Sequence, residues 1–213
     1  MNSRFIYIII ATMLVLLVNP FLRHSGLFGH LFSTLFLAMI PLSSVFALAE
    51  NRKKVISIFL IAAPFVILDG LNFFFTSRLS MIVAFSFGTV LYFYIVFLLV
   101  KHILSIRVVT AELIYCAIST YLLIGIAWAG IYTIVEGAWP GSFSGKSETV
   151  DLLYFSFVTL TTVGFGDVVP LSILGKRLAI FEAAMGSIYM AVIVAMIVGR
   201  YMLMHLERDS EGT

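Results

Sequence analysis

Between residues 161 and 167 the chain reads Thr161-Thr162-Val163-Gly164-Phe165-Gly166-Asp167, and its two glycines stand two positions apart. A cation that sheds its water needs other oxygen atoms in its place. Backbone carbonyls supply them only where successive residues alternate into left-handed angles, which glycine adopts without steric cost. Gly164 and Gly166 are therefore the residues expected at a carbonyl-lined turn, with Thr162 adding a hydroxyl at its inner end and Val163 and Phe165 turned back into packing. Thr161 and Asp167 flank the stretch and are candidates to support it. Upstream, Glu148 and Asp151 are acidic where a helix would begin and Thr149 can cap it, so the pattern predicts a helix over 150–160. The C-terminal end of such a helix carries roughly half a negative charge, and several ends converging on one axis would make a hydrated cation less costly to hold inside a membrane.

That geometry needs a scaffold in lipid. Of 213 residues, 62% are hydrophobic and 11% charged, with a mean hydropathy of +1.11, which leaves too little polar surface to clothe a soluble globule. A helix needs about 20 apolar residues to cross a bilayer. Six stretches qualify, near Phe5–Phe21, Leu27–Ala49, Val55–Phe75, Leu79–Val100, Glu112–Val135 and Lys176–His205. The first lacks a small-x-small cleavage site after it and reads as an uncleaved span. Pro41 and Pro64 lie inside spans and are expected to kink them. The apolar run Leu152–Val163 has only 12 residues, too few to span, and fits a segment that dips into the membrane and returns.

Lys and Arg gather on the cytoplasmic side of membrane proteins. With the N-terminus inside, Arg4, Arg52, Lys53, Lys54, Lys101, Arg107, Arg200 and Arg208 face inward, against Arg23, Arg78, Lys146, Lys176 and Arg177 outside. Both termini are thus expected in the cytoplasm, with the chain multi-pass in the cell membrane. The fold expected is an all-α membrane protein of six transmembrane helices, with a re-entrant pore helix and loop between the fifth and sixth. Residues 1–107 would form a four-helix N-terminal domain, 108–205 a pore domain, and 206–213 a short polar cytoplasmic tail that frays.

The string Thr161-Thr162-Val163-Gly164-Phe165-Gly166-Asp167-Val168-Val169-Pro170, between an outer and an inner helix, resembles the signature of the potassium-channel superfamily. The resemblance covers about residues 108 to 205, and the first hundred residues match only in the number of helices. It implies a homotetramer around one conduction path, a filter formed by Thr162, Val163, Gly164, Phe165 and Gly166, and K⁺ held by the carbonyls of Thr162 to Phe165 and the Thr162 hydroxyl. By position in that pattern, Gly186 falls at a gating hinge and Glu136 to Thr149 becomes the extracellular turret. There are departures. Phe165 stands where the commonest form has Tyr, Tyr154 and Phe155 replace a Trp behind it, and Val158 stands where some bacterial relatives keep a carboxylate, so the outer half of the filter is expected to inactivate more readily.

Other residues leave two readings open. Gly186 and Gly199 serve either as hinges or as close-packing points. Glu182, a carboxylate inside the last span, either supports the filter from behind or pairs with Lys176 or Arg177. Asp69 reads as a residue near the membrane interface, the alternative being a buried partner for a polar group. Cys116 reads as a small buried hydrophobe, and Trp128 and Trp139 as packing and interfacial anchors. The four His residues, His24, His30, His102 and His205, are dispersed, so no metal site within the chain is expected.

A voltage-sensing helix needs Lys or Arg at every third position. The span Leu79–Val100 has none, so gating by the filter itself, by lipid or tension, or by a separate regulatory protein is expected instead. No cofactor is implied beyond K⁺ as permeant ion, and the partners expected are membrane lipids and further copies of the chain. Dispersed basic residues give no nucleic-acid surface. Gly141 to Gly145 has Ser144 one place too late for a nucleophile elbow, and the duplicated broken helices of a transporter are lacking. A non-selective cation pore and a non-conducting membrane scaffold remain as the competing functions.

Overall fold

The structure is a computed structural model that describes residues 4–23, 26–48, 52–72, 77–106, 108–145 and 149–211. Seven helices occur among these residues: α1 Ile6–Arg23, α2 Gly26–Ala47, α3 Arg52–Leu71, α4 Arg78–Ser105, α5 Ala111–Ala138, α6 Thr149–Leu160 and α7 Ile173–Glu211. Helices α3, α4, α5 and α7 are long and apolar enough to cross a membrane, while α6 is short and apolar. The described apolar parts of α1 and α2, Ile6–Val18 and Leu31–Ala47, are shorter.

Local sequence explains the boundaries. Thr110, extended in backbone, caps α5 by accepting the Leu113 N–H, and Glu112 adds negative charge in the first turn where the helix dipole favours it. Both α2 and α3 run as helix through their prolines, Pro41 and Pro64. The tail departs from expectation: α7 stays helical to Glu211 instead of fraying from residue 206. From Tyr201 to Glu207 every residue but His205 is aromatic, apolar or Glu, with no Gly or Pro to stop the helix.

Helix α5 is the centre of the molecule, since it packs on α1, α4, α6 and α7. A mostly apolar interior joins α1 to α5 through Ile8, Ile40, Ile58, Leu91, Leu99 and Leu123, with buried polar groups such as Thr12, Ser44 and Asp69 among them. A second, aromatic interior surrounds α6, where Tyr132, Phe143 and Phe155 meet edge to face at 5.0 to 5.4 Å between ring centres. Such ring pairs add about 0.5–1.5 kcal/mol each beyond area burial, so α6 is fixed more firmly than its twelve residues would suggest. It is also gripped closely from both sides. A Cβ on Gly125 of α5 would meet the Phe157 ring at 2.8 Å, and one on Gly186 of α7 would collide with the Leu160 carbonyl oxygen.

Candidate functional site

The end of α6 forms the site. Asp151 lies in its first turn, while Glu148 and the Thr149 side chain fall outside the described residues. At the other end, the Thr162 N–H donates to the Thr159 carbonyl and the Val163 N–H to the Val158 carbonyl, both at 3.0 Å, which is the paired closure of a Schellman turn. Such a turn demands a left-handed residue, and Thr162 supplies it at φ +61°. Gly164 and Gly166 follow at +59° and +79°. Left-handed backbone at every second residue turns successive carbonyls toward the same side. Thr162 takes this angle against its Cβ, at a cost of about 1–2 kcal/mol that the helix closure offsets.

Within one chain, Val163 and Phe165 are 54% and 71% exposed. The expected packing behind the filter is therefore not supplied by their own chain: α6 leaves those side chains uncovered.

Two straps hold the stretch after the filter. The Asp167 carboxylate accepts a hydrogen bond from Tyr154, which keeps its pKa below the usual carboxylate range. Tyr154 thus supplies a donor to the filter mouth from the position where the sequence pattern lacks Trp. The second strap is the loop 141–145. Its Ser144 N–H donates to the Val169 carbonyl at 2.8 Å, the Val169 N–H returns to Ser144 Oγ at 2.9 Å, and the Leu171 N–H donates to the Ser142 carbonyl at 2.7 Å. Glu136 organises the loop by accepting the N–H groups of Gly141 and Phe143, at 2.7 and 3.1 Å. The segment that fails as a nucleophile elbow is thereby a clamp on residues 169–171.

Glu182 is fully buried behind α6. Its Oε2 accepts from the Tyr132 hydroxyl at 2.5 Å and its Oε1 lies 2.5 Å from Ser156 Oγ, so among the described residues its partners are on α5 and α6, with neither Lys176 nor Arg177 reaching it. Gly186 is the close-approach point already described. Helix α7 runs unbroken through Gly186 and Gly199, and a Cβ at Gly199 would meet nothing within 4 Å. The Leu160 carbonyl against Gly186 also accepts the Tyr121 hydroxyl at 3.2 Å.

Far from the filter, Asp69 is 3% exposed and accepts the Thr34 hydroxyl at 2.8 Å. The interfacial reading of Asp69 is thus corrected, because α2 supplies the partner that a buried carboxyl needs. At the end of α4, Arg200 of α7 donates to the Ile103 carbonyl at 3.2 Å, and His102 and Glu112 lie 3.2 Å apart across the joint between α4 and α5.

The sequence reading missed Tyr132, Ser156, Tyr121, Ser144 and Glu136. Ser156 and Tyr132 are polar groups inside apolar helices, which by itself signals a partner. Nothing in the spacing names that partner, since Glu182 lies 26 and 50 residues away.

Comparison with known proteins places the same segment in context. Residues 108–202 match the family model described as ion channel. The inward rectifier potassium channel Kirbac3.1 of Paramagnetospirillum magnetotacticum is 32% identical over 82 residues, which is 38% of this chain and 26% of that protein. Two pore potassium channel a of Oryza sativa subsp. japonica is 38% identical over 77 residues, 35% of this chain and 20% of that protein. Protein LctB of Geobacillus stearothermophilus is 49% identical over 57 residues, 26% of this chain and 42% of that protein. The chain thus spans between a fifth and two fifths of these relatives' lengths. No solved structure matches it.

Proposed function

From the match of residues 108–202 to the ion channel family model and their similarity to potassium channels, we propose that this chain belongs to the potassium-channel superfamily, that it is a channel and not an enzyme, and that it conducts K⁺ selectively and passively through a homotetrameric pore. The observation that carries this reading is the left-handed backbone at Thr162, Gly164 and Gly166, placed directly at the end of a short helix. Carbonyls of Thr162, Val163, Gly164 and Phe165 and the Thr162 hydroxyl coordinate the ion in place of water, with Gly166 closing the stretch and Thr161 and Asp167 supporting it.

One chain supplies one filter strand, and a ring of carbonyls around an ion needs four. The exposed Val163 and Phe165, together with Phe181 at 73% exposure on α7, are the apolar surface that neighbouring copies would cover. In this reading α1 to α5 and α7 are the six membrane spans, α6 is re-entrant, both termini face the cytoplasm, and lipids surround the tetramer. In α4 the basic residues Arg78 and Lys101 stand at the ends, so the N-terminal helices do not sense voltage by moving charge along the helix.

The test is a reversal potential in a planar lipid bilayer. It should follow the K⁺ gradient; a potential indifferent to replacing K⁺ by Na⁺ would make the protein a non-selective cation pore.

A further inference from the structure

Behind α6, three oxygen-bearing side chains and one carbonyl form a line whose protons can be counted. Tyr132 Oη lies 2.5 Å from Glu182 Oε2, Glu182 Oε1 lies 2.5 Å from Ser156 Oγ, and Ser156 Oγ lies 2.7 Å from the Gly125 carbonyl oxygen. Tyr132 and Ser156 bring one proton each, and the Gly125 carbonyl brings none. With Glu182 ionised, these two protons would have to serve three contacts. Ser156 could satisfy Gly125 or Glu182, and the other pair would face each other as bare lone pairs inside an apolar protein. A third proton on Glu182 Oε1 resolves the line completely. Tyr132 donates to Oε2, the carboxyl O–H donates to Ser156 Oγ, and Ser156 donates to Gly125.

Burial argues the same way. Glu182 and Ser156 are each 0% exposed, and among the described residues no basic side chain pairs with this carboxyl. A lone charge there would be costly, whereas a neutral acid with both oxygens bonded is not.

We propose that Glu182 is a neutral carboxylic acid acting as a latch between three helices. It is a positioning residue: it joins α7, through its own backbone, to α5 at Tyr132 and Gly125 and to α6 at Ser156. Ser156 lies four residues, about one helical turn, before Leu160 at the end of α6, so the latch sets where that helix ends and thus where the filter begins. Val158 leaves that position of α6 without a carboxylate, and α7 supplies the buried acid instead. The link to conduction rests on the K⁺-channel reading, but the protonation state does not.

Two measurements on the full-length protein test the latch separately from that reading. In infrared difference spectra at neutral pH, wild type minus Glu182→Gln should show the C=O stretch of a protonated carboxyl; a carboxylate pair of bands would overturn the proposal whether or not the protein conducts K⁺. In single-channel recordings, Glu182→Gln keeps one donor and one acceptor and should hold open probability within about twofold of wild type. Glu182→Ala should lower it by about tenfold or more, as expected for stranding buried polar groups. A tenfold loss in Glu182→Gln, or wild-type open probability in Glu182→Ala, would each overturn it. Should Glu182→Ala fail to fold, Ser156→Ala provides the same readout with the carboxyl in place, and its wild-type behaviour would equally count against the latch. Failure of the K⁺ reading would appear independently, as a reversal potential that ignores K⁺.

Discussion

The segment from residue 108, which matches the ion channel family model, and the apolar helices before it pack to different tolerances. Around α6 several contacts are specific: Gly125 and Gly186 admit a ring and a carbonyl that no side chain would allow, and Tyr132 and Ser156 both bond Glu182. In α1 to α4 the interior is mostly aliphatic, with single polar contacts such as Thr34 to Asp69 and Ser57 to Tyr94. A filter must hold carbonyls at fixed positions, whereas a helix facing lipid needs only to be apolar. Substitutions in the first region should therefore change conduction, and those in the second should change stability alone.

Gly164→Ala should have the largest effect. Its Cβ at φ +59° costs about 1–2 kcal/mol in every copy and twists a carbonyl away from the ion. K⁺ current should vanish while the proposed tetramer still assembles; intact activity in the variant would favour the scaffold reading. Next in size, Gly186→Ala drives a Cβ into the Leu160 carbonyl and should lower the thermal midpoint of the detergent-solubilised protein, a loss of about 1–3 kcal/mol. Gly199→Ala, inside α7 with open space around it, should raise that midpoint slightly, a gain of about 0.5–1 kcal/mol. If Gly199→Ala alters channel opening without loss of stability, a hinge there gains support.

Tyr154→Phe should act more gently, and through pH. The Asp167 carboxyl is held below its usual range by the Tyr154 hydroxyl, so its contribution to the filter mouth is present at neutral pH and lost as pH falls through that depressed value. Without the hydroxyl, the loss should begin at higher pH. Inactivation measured against extracellular pH should therefore shift toward neutrality in Tyr154→Phe, and an unshifted profile would remove Tyr154 from the filter's support. The smallest effect on conduction is expected from Thr34→Val. It removes the hydroxyl that donates to the buried Asp69 carboxyl and should cost about 1–3 kcal/mol of stability with K⁺ selectivity unchanged. A change in selectivity would mean that the two regions are coupled more tightly than their packing suggests.

The left-handed turn at Gly164 and Gly166 was legible from the chain because it is written in backbone requirements: only glycine takes that angle freely, and two glycines two apart leave few alternatives. The short helix α6 was legible from the length of its apolar run. Thr162 was foreseen as a hydroxyl donor to the ion but not as the left-handed residue that closes α6, since threonine rarely takes that role. The surroundings were less legible for a different reason. Ser144, Glu136 and Tyr132 look like ordinary loop or apolar-helix residues until the chain folds back on itself, and Glu182 kept two readings because its partners lie on other helices. The end of α7 was misjudged because polar composition alone suggested fraying, although the helix-forming residues before it carry the helix to Glu211.

The central claim is that peptide oxygens from Thr162 to Phe165 replace an ion's water. A map of the tetramer in K⁺, with the ion's anomalous signal measured, tests it most directly. The account predicts a line of K⁺ peaks on the fourfold axis, level with those carbonyls. A filter segment turned away from the axis, or an axis without K⁺ peaks, would contradict it.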